Sequence, residues 1–186
     1  MIKGEFSLEI SKQEILAKLM EVYSHRYDID PDGSVNGAGH YPATATYFLR
    51  DENYLLTKKH VLNAVENYDY MYFLIADELD ENTLKNEIEL SLAEGMKRIK
   101  PHKEHMSSFI TLVIIADTIA PEAKTLLKRT SRRKYFRLAL HGWMEFHIAA
   151  FETTTQSFLS NPAGRDAKKT LELNFGPKAK RRESIK

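Results

Sequence analysis

The segment Ile110 to Ala116, ITLVIIA, limits the possible folds of this chain more than any other. It is β-branched, uncharged and short, and it lacks the polar alternation of a half-exposed strand. That pattern describes a strand buried on both faces. An apolar stripe at helical spacing, Leu84, Ile88, Leu92, Met96 and Ile99, precedes it, and a helical pattern from Pro121 to Leu127 follows. A strand framed in this way lies at the centre of a sheet covered by helices. The expected class is therefore α/β (mixed α+β), with one mixed sheet of about six strands and right-handed strand-helix-strand crossovers around the central strand.

Local signals fill in the order. Ser11 and Glu14 form a capping box, and Ile10 and Ile15 stand at the positions of a hydrophobic staple, so a helix starts there and ends near His25. Asp28 to His40 is rich in Gly, Asp, Asn and Pro and reads as a long loop. Ala43 to Arg50 and Asn53 to Leu56 read as a hairpin around an Arg-Asp-Glu-Asn turn. Thr57 would cap a short helix carrying Val61, Leu62 and Val65, and a strand with Tyr68, Tyr70, Tyr72 and Phe73 to Ala76 would run from a half-exposed end into the core. Pro101 stops the second long helix, and Pro121 suits the first turn of the next. Tyr135 to Leu140 and Met144 to Ala150 read as a second hairpin turning at His141-Gly142-Trp143, and Pro162 opens a last helix that Gly176-Pro177 ends. The division expected is one α/β domain over residues 1–175 and a basic, disordered tail over 176–186.

Composition narrows the chemistry. There is no cysteine, which excludes thiol catalysis, thiolate zinc sites and disulfides, and suits a reducing cytoplasmic compartment. No apolar signal segment follows the first lysine, and no stretch approaches the roughly 20 apolar residues of a span, so no membrane partner is expected. With 27 basic against 26 acidic side chains, any electrostatic partner has to be recognised by a local patch.

Five clusters could carry such recognition. Asp28-x-Asp30-x-Asp32-Gly33 matches the start of a calcium loop, a candidate divalent-cation site, but Gly39 stands where the closing glutamate belongs and an Asp-rich turn explains it equally. His102, Glu104 and His105 offer imidazole and carboxylate for acid/base work or metal ligation; on an extended chain the two histidines face opposite ways, and Ser107 and Ser108 lack a nucleophile elbow. His141 and Trp143, with His147 beyond, could cover or stack on a ligand, or simply make a hairpin turn. Arg165, after Asn161-Pro-Ala-Gly, could hold an anion at a helix start. Lys124, Lys128, Arg129, Arg132, Arg133, Lys134 and Arg137, interleaved with Tyr135 and Phe136, could bind nucleic acid or another anionic ligand, or be a solvated helix end.

The stretches NYLLTKKHVLNAVENYDYMYF, PHKEHMSSF and HGWMEF resemble a small family of cytosolic proteins from clostridial-type Gram-positive bacteria, a resemblance that implies no activity. The element order is also similar to the core of the PD-(D/E)xK nuclease superfamily. That likeness implies metal-dependent phosphodiester hydrolysis, with an acid on the second strand and an acid-x-lysine on the third. Glu66 and Asp69 are the candidate acids, joined by Glu104, but Tyr68 and Met71 stand where the lysine would be. No complete catalytic set is present. The leading expectation is a non-catalytic binding or assembly module that could self-associate; the alternatives are a degenerate metal-dependent nuclease and anion binding by the basic helix end.

Overall fold

The computed structural model describes residues 10–33, 39–54 and 61–177. Its elements in chain order are α1 (Lys12–Ser24), β1 (Asp28–Asp30), β2 (Ala43–Tyr54), β3 (Val61–Leu79), α2 (Glu81–Arg98), β4 (His105–Ile119), α3 (Pro121–Arg129), β5 (Arg133–Tyr135), β6 (Trp143–Glu152), β7 (Ser157–Ser160) and α4 (Arg165–Phe175). The strands form one seven-stranded mixed sheet ordered β1-β2-β3-β4-β6-β5, with β7 also paired to β6. The apolar run lies within β4, which pairs parallel with both β3 and β6. Every residue from Ile110 to Ala116 is buried, as a strand without a polar face requires.

Strand alternation divides the core in two. Tyr70, Tyr72, Ile110, Leu112, Ile114, Phe146 and Ile148 pack under Leu84 and Ile88 of α2 and Ala123 and Leu127 of α3. Met71, Phe73, Val113, Ile115, Ala149 and Phe151 pack under Ile15, Leu16 and Leu19 of α1 and Leu171 and Phe175 of α4. Gly95 lets α2 sit directly on β4, since a Cβ there would lie 2.6 Å from Ile110 side-chain atoms. The capping box of Ser11 and Glu14 is formed, and Ile15 enters the core while Ile10 stays largely exposed. Asp80 caps α2 by accepting the Thr83 amide hydrogen at 2.6 Å.

Several sequence expectations are corrected. Residues 50–53 make no turn: β2 runs through them, with Asp51 opposite Val65 and Asn53 opposite Asn63 of β3. Polar residues also fit an exposed stretch of strand, as Arg50 and Asp51 are, and this segment has no glycine to turn it. Val61, Leu62 and Val65 belong to β3 instead of a short helix, because strand pairing overrides a weak local preference; Thr57 lies outside the described residues. Asp28–Asp30, placed in a loop, pairs with β2 as β1. Tyr135 to Leu140 is no strand beyond Tyr135, since Arg137, Leu138 and Ala139 are left-handed and break the ladder. β7 had no counterpart in the sequence reading, and the last helix begins at Arg165, three residues after Pro162. The basic residues after Pro177 and residues 34–38 of the long loop lie outside the described residues.

Strand length positions the site. β4 has 15 residues and so extends roughly 50 Å, whereas α1 with 13 residues covers roughly 20 Å. Lys12, at the start of α1, pairs with Asp77 and Asp117 near the C-terminal ends of β3 and β4. From there α1 runs back along the sheet, bringing Tyr23 over Phe73 at 5.8 Å between ring centres, and it ends with the lower part of the sheet uncovered. Among the described residues no helix is long and apolar enough to cross a membrane.

Candidate functional site

A cavity of about 470 Å³ opens where α1 stops and α4 begins. Tyr23, His25, Arg26 and Tyr27 from the end of α1 form one side, and Asp166, Ala167 and Thr170 of α4 form another. The floor is the sheet: Tyr47 of β2, Asn67, Asp69 and Met71 of β3, Phe109 and Thr111 of β4, and His147 of β6. Its size falls within the roughly 300–1,000 Å³ of small-molecule sites, and its mixture of aromatic walls with few polar groups is typical of them.

Asp69 is the distinctive group. One carboxylate oxygen accepts from the Tyr27 hydroxyl and the other from the Thr111 hydroxyl, both at 2.9 Å. Desolvation disfavours its charged form, and the two hydroxyls only partly offset that cost, so the carboxyl is pushed up to about 6. His147 lies over Phe109 with ring centres 4.7 Å apart. Burial holds its imidazole below the usual range despite Glu145, 3.6 Å away, so the ring is neutral near pH 7. Asp69 and His147 stand on strands separated by β4, about two strand spacings or roughly 10 Å apart. They cannot exchange a proton directly. They can flank a ligand lying across the floor between them.

The opposite face carries a second polar group. Glu66 accepts from Arg50 at 2.5 Å and from the Tyr68 hydroxyl at 2.7 Å, and lies 3.0 Å from His102 Nε2. Burial alone would raise its carboxyl, but these partners hold it below the usual range. Arg50 also reaches Glu104 at 2.7 Å. His105 lies 2.6 Å from the His141 carbonyl through Nδ1 and 2.7 Å from the Ser108 hydroxyl through Nε2. A carbonyl only accepts, so Nδ1 carries the hydrogen and Nε2 accepts from Ser108. Both His105 and Ser108 are buried, and this pair pins the start of β4 instead of presenting a nucleophile.

The structure thus gathers Glu66, His102, Glu104 and His105, and separates them from Asp69. Residues three apart on a strand face opposite ways, so the three acids of the nuclease reading do not share one cleft. Asp28 and Asp30 sit in a strand, and among the described residues no three His, Asp or Glu side chains, Asp32 included, converge so as to hold a metal ion. Asn161 is a structural clamp: it accepts from Ile148 and Gly164 and donates to Thr130 and Phe146, while Arg165 is exposed on α4. Trp143 begins β6 between Ser107 and Tyr135. Lys124 is tied to Glu152 and Arg133 to Glu145; Lys128, Arg129, Arg132, Lys134 and Arg137 are exposed.

Sequence reasoning missed Tyr27, Tyr47, Phe109 and Thr111 as parts of one site. Thr111 left a signal, being the hydroxyl-bearing residue in the otherwise hydrocarbon run Ile110 to Ala116. A profile described as Domain of unknown function (DUF8052) matches residues 11–173, so the chain belongs to that family. No curated protein and no solved structure matches it.

Proposed function

We propose that this member of the family is a binding module for a small organic cation with a flat apolar body, held in the cavity between α1 and α4. Asp69 carries this reading. Its partners among the described residues are hydroxyls and not cations, so it remains the desolvated acceptor that an ammonium group would best neutralise. Tyr47, Phe109 and the neutral His147 supply aromatic walls against which a flat apolar body can lie. Arg26 lies over the Tyr47 ring at 5.6 Å, and Asp166 adds a second acid at the rim.

Phenethylammonium is a suitable probe, with benzoate as its anionic counterpart. Calorimetry should detect the ammonium in preference to benzoate, and Asp69→Asn should weaken it roughly 10- to 100-fold, the worth of a charged hydrogen bond. Affinity should fall as pH drops below about 6, where Asp69 gains its proton. Equal binding of benzoate, or undiminished binding by Asp69→Asn, would reject the reading.

A further inference from the structure

Independently of the cavity, we infer that the loop between β5 and β6, with the cations beside it, docks this protein on the surface of an anionic lipid bilayer. Leu138 is 96% exposed and Leu140 76%, and Tyr135 beside them is 55% exposed. Met106, 42% exposed, belongs to the same end of the sheet, because Gly142 packs against its backbone carbonyl. Single exposed leucines are ordinary; a group of large apolar residues at one edge marks a contact surface.

The loop is built to hold them out. The Phe136 amide donates to Gly142 O at 2.9 Å, Leu140 to Arg137 O at 3.0 Å and Gly142 to Ala139 O at 3.2 Å. Gly142 has φ +75° and its backbone lies so close to Met106 that a Cβ would sit 2.3 Å from that carbonyl oxygen. The Phe136 ring anchors the base, edge-on to His105 at 5.6 Å. Arg137, Leu138 and Ala139 are all left-handed, with φ of 47°, 54° and 71°. Non-glycine residues keep such conformations only where their surroundings enforce them, and here they present leucine side chains to solvent.

Charge selects the occupant. Lys128, Arg129, Lys134 and Arg137 are exposed and form no ion pair with the described residues, while Arg132 is 3.8 Å from Glu89 and Arg133 2.6 Å from Glu145. A phosphate backbone would use these cations but has no place for two aliphatic side chains at the tip. A bilayer surface accepts both, hydrocarbon below the headgroups and cations among them. The expectation of no membrane partner came from the lack of a spanning segment, which surface docking does not need.

The test uses the full chain with vesicles of phosphatidylglycerol and phosphatidylcholine, against phosphatidylcholine alone. The protein should sediment with the anionic vesicles only, and emission from Trp143, the chain's one tryptophan at the foot of the loop, should change on binding. Lys134→Gln and Arg137→Gln should each lower partitioning about fivefold. Leu138→Ser with Leu140→Ser should lower it tenfold or more. The leucine pair is decisive, because the basic residues after Pro177 supply cations of their own. Absence of sedimentation at low salt, retention by the double leucine variant, or binding to a DNA or RNA oligonucleotide in place of vesicles would each overturn the inference. Unchanged circular dichroism of the variants would establish that their fold is intact.

Discussion

Glu152 and Asp69 are carboxylates on two strands of one sheet, and the protein shifts their titrations in opposite directions. Burial pushes both toward the neutral form. Glu152, 2% exposed, accepts the Ile119 amide hydrogen and the Lys124 ammonium at 2.8 Å each, the Ser157 hydroxyl at 2.9 Å and the Thr155 hydroxyl. Those donors outweigh desolvation and bring its carboxyl down to about 2. Asp69 receives two hydroxyls and no cation from the described residues, and desolvation wins. The number and charge of donors set against each group's desolvation separate a carboxylate that pins β4, α3 and β7 together from one left able to receive a ligand.

The largest effect should come from breaking the pin. Glu152→Ala leaves the Ile119 amide and Lys124 without their partner and should cost about 3 kcal/mol in urea denaturation. Because the folded pKa of Glu152 lies below its unfolded value of about 4.3, its contribution is present above that pH and is lost as pH falls toward about 2. The variant should therefore lack that acid-dependent loss.

Asp69→Asn should act with the opposite sign, stabilising the fold by about 1–2 kcal/mol at pH 7 by removing a desolvated charge. The folded pKa of Asp69 lies above its unfolded value of about 3.9, so the extra proton is held by the folded state between these values. Stability from this group is full below about pH 4 and declines as pH rises through about 6. Melting curves of parent and variant across that interval should converge at the acid end. A variant less stable than the parent at pH 7 would mean that the carboxylate is structural after all.

Smaller effects should sharpen the contrast. Thr111→Val and Tyr27→Phe each remove one donor from the ionised Asp69, so each should move its titration further upward, by less than about one unit. Carboxyl carbon chemical shifts followed by NMR would measure it. No upward movement in either variant would mean that the hydroxyls do not stabilise the charge.

Much of the frame was legible in the chain. ITLVIIA could be nothing but an interior strand, and the capping box of α1, the apolar stripes of α1 and α2 and the proline that opens α3 are local signals that tertiary packing had no reason to override. The path of β2 through residues 50–53 was not legible, because their polarity suits a turn and an exposed strand alike. The separation of Glu66 from Asp69 followed from strand alternation, but only once Val61 and Val65 were known to be strand.

The sequence by itself determined the central strand and the helices that flank it, because these depend on hydrophobic period and capping, which act over a few residues. Only the tertiary structure decided where α1 stops above the sheet, which residues of β3, β4 and β6 lie beneath that gap, and that Asp69 meets two hydroxyls there while Glu152 meets an ammonium. Those outcomes depend on strand register and helix placement, set by contacts between segments tens of residues apart, and no local pattern encodes them.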